Sequence, residues 1–238
     1  MKFDDPELVA REYGDETRFV ARRVAFSEFV EGQTAEDLAI DALREVAPSR
    51  VLEVGCGLGE FAERMNRDLE VDVTAVDLSP RMVELTRERG VNAITADAQD
   101  LPFADGKFDC VVANWVIHHF QDPEAGVREM GRVLRSEGRL VAATFSTEHM
   151  RDLYDWLGAS EVGDLEFSSE NGAELLGHHF GSVERRDAHG IVRFPDRDSL
   201  HSYLSSLIRG AELAERLPEL EGVFEAQSWQ SIFVATNS

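Results

Sequence analysis

Apolar and polar positions alternate along this chain in two rhythms. Near-continuous apolar runs close at 51–54, 72–77, 91–96, 108–114 and 139–145, each bounded by glycine, proline or acidic residues. Runs of that length and composition suit strands buried on both faces. Between them, apolar residues recur every three to four positions, as amphipathic helices require. Glu60–Met65, a segment opened by Ser79-Pro80, and Glu124–Leu134 read this way. Strand and helix in alternation predict an α/β fold with a mostly parallel sheet.

The flanks are less regular. Residues 7–47 read as helices, with Phe19, Val20, Val24 and Phe26 forming an apolar face among Arg18, Arg22 and Arg23. Thr34, followed three residues on by Asp37, marks a helix start as a variant capping box, and Pro48 marks the stop. Beyond 145, Met150–Trp156, Asn171–His178 and Asp198–Ile208 read as helices. Val183–Phe194 and Ser231–Ala235 read as strands, with Gly190 a candidate bulge. The chain divides into a helical cap over 1–48, an α/β core over 49–145, and a remainder over 146–238 carrying an insertion at about 195–225.

The candidate chemistry begins where the first strand ends. Val51-Leu52-Glu53-Val54 runs into Gly55-Cys56-Gly57-Leu58-Gly59, with glycine at alternate positions before a helix. Glycine accepts backbone angles closed to other residues and lets a ligand approach the main chain. The dinucleotide fingerprint wants glycine where Glu60 stands, and a carboxylate there would repel a pyrophosphate at the helix N-terminus. No Gly-Lys-Ser/Thr follows either, so a phosphate-cradling loop is excluded. A nucleoside without phosphate fits, and S-adenosylmethionine is one.

The segment Glu53–Gly59 resembles the first motif of class I S-adenosylmethionine-dependent methyltransferases. The likeness is to the subgroup related to the ubiquinone/menaquinone-biosynthesis methyltransferases, and it covers residues 49–145 best. It implies a Rossmann-like seven-stranded sheet, mostly parallel with the last strand antiparallel, flanked by helices and an N-terminal helical cap. It also implies a cofactor set of Glu53, Gly55, Cys56, Gly57, Gly59, Asp77, Leu78, Met82, Asp97, Ala98 and Asn114. Asp77 closes the second strand, where an acidic side chain accepts from ribose hydroxyls. Leu78 and Met82 would flank the adenine, Asp97 and Ala98 would bond it, and Asn114 would hold the methionine end. The leading helices would cover the cofactor, with Tyr13 or an arginine on its carboxylate. Asp109 reads as structural.

No catalytic base stands out. His118, in the pair His118-His119, is a weak candidate, because histidine titrates near neutrality. Neighbouring side chains diverge, so the pair does not form a metal site. His178, His179, His189 and His201 lack ligand spacing and read as surface or packing residues.

Charge changes the picture next. The net charge is -22, from 46 acidic and 24 basic residues spread along the chain. That excludes a basic face for nucleic acid and suggests a halophilic protein whose self-repulsion is screened by salt. No apolar run is long enough to span a membrane, and the N-terminus has no secretion signal. Cys56 and Cys110 read as buried hydrophobes, so a disulfide and a metal are not expected, and a cytoplasmic location is. The expected activity is methyl transfer to a small-molecule acceptor. The alternatives are a non-catalytic partner or activator that binds the cofactor, and, disfavoured by Glu60, an NAD-dependent oxidoreductase.

Overall fold

The structure is a computed structural model that describes residues 20, 22–23, 29–159, 165–207 and 210–238. The helical reading of 7–28, including Tyr13 and Arg18, falls almost wholly outside these residues. In chain order the strands are β1 (Val30–Gly32), β2 (Arg50–Val54), β3 (Asp72–Asp77), β4 (Asn92–Thr95), β5 (Phe108–Asn114), β6 (Leu134–Phe145), β7 (Ser182–Phe194) and β8 (Phe224–Thr236). The helices are α1 (Ala35–Val46), α2 (Glu60–Leu69), α3 (Pro80–Glu88), α4 (Pro123–Val133), α5 (Arg151–Trp156), α6 (Gly172–Gly177), α7 (Arg197–Ser206) and α8 (Gly210–Glu215).

The strands form one sheet in the order β1-β7-β8-β6-β5-β2-β3-β4. The block β6-β5-β2-β3-β4 is parallel, while β8 runs antiparallel to both β6 and β7. The order reverses beside β2, and open sheets bind ligands beyond the strand ends at such a point. Two apolar layers cover the faces. One packs α1, α2 and Val83 of α3 on Val51, Val73, Val112 and Val141. The other packs α4 and α6 on Leu52, Val111, Leu140 and Phe233. A third, separate core joins α5, α7 and α8 to the far half of the β7–β8 hairpin through Leu153, Phe194, Tyr203 and Leu204. The inserted helix predicted near 198–208 is therefore real, and it builds this third core.

Among the described residues the sheet has eight strands rather than seven. The extra strand, β1, lies in a stretch read as helical and pairs antiparallel with β7 through Val30–Val192 and Gly32–Gly190. This also corrects the reading of Gly190. The β7–β8 register runs through it without a shift, so it is no bulge. A Cβ at Gly190 would lie 2.6 Å from the Glu31 carbonyl oxygen, so its bareness is what admits β1.

The local signals for α1 hold. Asp37 N–H donates to Thr34 Oγ1 at 3.2 Å, and Thr34 N–H donates back to Asp37 Oδ2 at 3.4 Å. The helix ends at Ala47 in a left-handed conformation, just before Pro48. His178 and His179 both bond the Glu124 carboxylate and tie the end of α6 to the start of α4.

Asp109 is a structural clamp, as read from the sequence. Its Oδ2 accepts from the N–H groups of Ser49 and Arg50 at 3.0 and 2.8 Å, and Arg135 Nε donates to Oδ1 at 3.0 Å. Burial pushes its carboxyl pKa up, but these donors outweigh burial and hold it below the ordinary carboxylate value. Two strand starts are thereby pinned together. Asp109→Ala is expected to lower unfolding free energy in urea by about 2–4 kcal/mol, because two backbone N–H groups and a guanidinium lose their acceptor.

Candidate functional site

The glycine turn is organised by β3. Gly55, Gly57 and Gly59 have φ of 74°, 52° and 76°, left-handed values that disfavour side chains. Gly55 and Cys56 donate their N–H groups to the Val76 carbonyl at 2.8 and 3.1 Å. Gly57 N–H donates to Asp77 Oδ2 at 3.0 Å, and Ser79 N–H donates to Asp77 Oδ1 at 2.9 Å. Asp77 thus joins the turn after β2 to the turn after β3, with the Leu78 N–H a further backbone donor to its carboxylate. Burial raises its pKa, and the backbone donors oppose that rise.

Glu60 opens α2, but it does not stand as a bare negative charge. Arg23 Nη2 lies 3.1 Å from Glu60 Oε2, and Arg89 Nη2 lies 3.5 Å from Oε1. Arg23 also pairs with Glu36 at 2.5 Å. Repulsion of pyrophosphate by Glu60 is therefore a weaker reason than the sequence suggested. The stronger one is that the turn's N–H groups at 55, 56 and 57 already donate within the protein. They are not available to wrap a phosphate, as anion binding at a helix start requires.

Two buried side chains near this turn carry polar atoms that have no hydrogen-bond partner among the described residues. Glu53 is 3 % exposed, and its Oε2 has no hydrogen-bond partner among the described residues. Burial first, then the carboxylates of Glu36 and Asp77, raise its pKa well above the ordinary value, against a lowering by Arg23. At the end of the adjacent β5, both amide atoms of Asn114 are buried and equally unpartnered. Glu53 pairs in register with Val112, so Glu53 and Asn114 share a sheet face. Buried polar atoms are ordinarily satisfied, so such a pair is a place where a ligand could supply the missing bonds.

The remaining predicted contacts fall into two groups. Leu78 is 65 % exposed beside Asp77, free to lie on a flat ring. Asp97 is exposed, with Oδ1 accepting from Gln99 N–H at 2.8 Å, and Ala98 is buried next to it. Met82 and Cys56 are enclosed, Met82 completely, so they back the site rather than face it. Cys56 and Cys110 are both free and buried, and burial raises their thiol pKa values. No group that fits a metal occurs among the described residues. A cavity of about 260 Å³ lies at the opposite end of the sheet, by Glu45, Arg135 and Arg139, and includes none of the candidates.

His118 sits in a 3-10 turn, Ile117–His119, just after β5. Burial, then His119 and Arg22, push its pKa well below the ordinary imidazole value, so it stays neutral. A second buried imidazole, His149, was not singled out by sequence. Its Nδ1 accepts from Trp229 N–H at 3.1 Å, and burial pushes its pKa down to about 3. Its ring stacks 4.5 Å from Phe145, which in turn lies 5.8 Å from Trp115. An isolated His after a strand carries no local signal for this; only the β6–β8 pairing brings Trp229 to it.

Comparison with known proteins agrees with the geometry. A methyltransferase-domain family matches residues 52–142. A demethylmenaquinone methyltransferase of Renibacterium salmoninarum is 37% identical over 111 residues, covering 46% of this chain and 46% of the relative. A malonyl-[acyl-carrier protein] O-methyltransferase of Hahella chejuensis is 36% identical over 115 residues, covering 46% and 41%. The chain thus spans about half the length of these curated relatives. A solved S-adenosylmethionine-dependent methyltransferase from Thermotoga maritima superposes with a TM-score of 0.59 at 22% identity, over 98% of this chain and 99% of that one. The sheet order and its flanking helices define a Rossmann-like α/β fold. Residues 52–142 match the methyltransferase-domain family, and the fold is shared with solved S-adenosylmethionine-dependent methyltransferases.

Both buried histidines set a pH dependence. Their folded pKa values are depressed, so the unfolded chain binds protons first as pH falls. Stability is expected to fall as pH drops below about 6.5, by up to ~1.4 kcal/mol per pH unit for each histidine. For His149 the loss levels off near its folded value of about 3. Denaturation of His149→Gln against pH checks this: the variant should show a shallower slope.

Proposed function

We propose that this protein transfers a methyl group from S-adenosylmethionine to a small-molecule acceptor by in-line displacement. The observation that carries the reading is the pair of buried, unpartnered groups, Glu53 Oε2 and the Asn114 amide, beside the glycine turn. When bound, the cofactor supplies a methyl group on a positively charged sulfur. Glu53 would face its amino-acid end, and positive charge there would stabilise the carboxylate form that burial alone disfavours. Asn114 would bond the same end. The Asp77 carboxylate would accept from the ribose hydroxyls. Leu78 would cover the adenine, with Asp97 and the Ala98 N–H at its edge. Gly55, Gly57 and Gly59 would let the cofactor lie against the backbone.

The enzyme's contribution is then alignment, which supplies up to roughly 7–11 kcal/mol of barrier lowering when two reactants are held in line. The new bond forms from the acceptor's electron pair to the methyl carbon, and the carbon–sulfur pair returns to sulfur. A neutral, buried His118 can accept a hydrogen bond from the acceptor but is a poor proton store, so release of a proton to solvent fits better. The alternative of a non-catalytic binding partner differs in one outcome, a bound cofactor without turnover.

The test is calorimetry with S-adenosylmethionine, joined to transfer of a labelled methyl group into a small-metabolite extract. Asp77→Ala is expected to weaken cofactor binding by about 1.5–3 kcal/mol, through loss of hydrogen bonds to a charged group. Unchanged affinity would remove Asp77 from the ribose role. Binding of NAD in place of S-adenosylmethionine would sink the whole reading.

The acidic surface supports a second inference, residence in a concentrated-salt cytoplasm. At about 1 M salt the Debye length shrinks to ~3 Å and the self-repulsion of a -22 chain is screened. Melting temperature is expected to rise with added potassium chloride; greatest stability without salt would refute it.

A further inference from the structure

Two more buried polar atoms lie at the same end of the sheet, beyond the proposed cofactor contacts. One belongs to Gln230 on β8, which is 6 % exposed. Its Nε2 donates to Ser228 Oγ at 3.3 Å, and its Oε1 has no partner among the described residues. With Nε2 placed on Ser228, the end of the amide left unpaired is the acceptor oxygen. The other atom is the indole Nε1 of Trp115, also buried and without an acceptor among the described residues.

The sheet register gathers these groups around Phe145. Phe145 is the direct antiparallel partner of Gln230, and directly opposed residues share a face. On its other side Gln230 opposes Ala188, which adds little bulk. The Trp115 ring lies 5.8 Å from Phe145, and the His149 ring 4.5 Å. Asn114, one residue before Trp115, lies on the neighbouring strand of the parallel pair β5–β6 and on the same face. The result is a set of flat apolar walls beside one unpaired acceptor oxygen and one unpaired N–H donor. His118 and His149 are neutral, while the Arg22 guanidinium adds positive charge near His118.

We propose that Gln230 selects and orients the methyl acceptor, which is a flat, conjugated molecule offering an O–H or N–H to Gln230 and an oxygen lone pair to Trp115. The assignment rests on the methyltransferase reading, because it takes the cofactor to fill the neighbouring Glu53–Asn114 side. A wholly apolar ring would leave both polar atoms unpaired and bind less well. A molecule with the donor but no flat ring would lose the Phe145 and Trp115 walls.

Calorimetry in the presence of S-adenosylhomocysteine tests this with two probes, 4-hydroxyacetophenone and acetophenone, which differ only in a hydroxyl group. The native protein is expected to bind the hydroxylated probe about tenfold more tightly, as one satisfied hydrogen bond to a buried oxygen predicts. In Gln230→Leu, and in the near-isosteric Gln230→Met, the preference should fall below about threefold. Both variants should bind S-adenosylhomocysteine within about twofold of native. The proposal is overturned if native protein binds neither probe, shows no preference, or if either folded variant keeps the preference. It is also overturned if the variants lose S-adenosylhomocysteine, since Gln230 would then serve the cofactor. Failure of the native protein to bind S-adenosylhomocysteine is a separate result: it removes the methyltransferase reading, while the hydroxyl preference still judges Gln230.

Discussion

The donation of three successive backbone N–H groups from the glycine turn to the end of β3 is the constraint on which the site depends. Gly55 and Cys56 reach the Val76 carbonyl, and Gly57 reaches the Asp77 carboxylate. Left-handed angles at three alternate residues are what let the chain turn back far enough to make these bonds. A phosphate needs such N–H groups, and here they are already committed. The turn is left with bare main chain for a ligand to lie against, beside the Asp77 carboxylate. That arrangement suits a nucleoside whose charge sits elsewhere.

Most of this was legible in the sequence, because it is local. The glycines, the acidic residue closing β3 and the caps at Thr34 and Ser79 each act within a few residues of their position. What was not legible depends on distant pairings. β1 is three residues long, and its partner lies more than a hundred and fifty positions away by the register that pairs Glu31 with Ile191. Nothing near Val30 announces a strand; only the bareness of Gly190 admits one. The role of Glu60 was misjudged for the same reason. Its partner Arg89 comes from the end of α3, beyond any local signal.

β8 is the more instructive miss. Only its last stretch, near Ser231–Ala235, reads as strand, yet it runs from Phe224 to Thr236. In the unread half the inward positions are Ala226, Ser228 and Gln230, small or polar residues in place of the expected apolar ones. Binary patterning fails there because those positions do not all face a packed core. Places where a sequence breaks its own pattern tend to be functional or strained. The same end of the sheet carries Trp115 at φ 52°, a left-handed angle that is an outlier for so bulky a residue. Its N–H donates to the Ala143 carbonyl at 2.9 Å, which continues the β5–β6 ladder while the chain turns away.

The scarcity of positive charge shapes the remainder. With 24 basic residues against 46 acidic ones, arginines are shared between carboxylates. Arg23 serves Glu36 and Glu60, Arg89 serves Glu60 and Glu63, and Arg186 serves Glu45 and Glu184. Shared pairs of this kind sit on the surface, where each is worth little alone and is screened by salt. Screening also removes the repulsion among the unpaired carboxylates, so the two effects oppose one another. The repulsion involves many more charges than the pairs do, and it acts over longer distances. Salt should therefore act mainly on the unpaired acidic surface, while the buried contacts of Asp77 and the glycine turn, being shielded from ions, stay as they are.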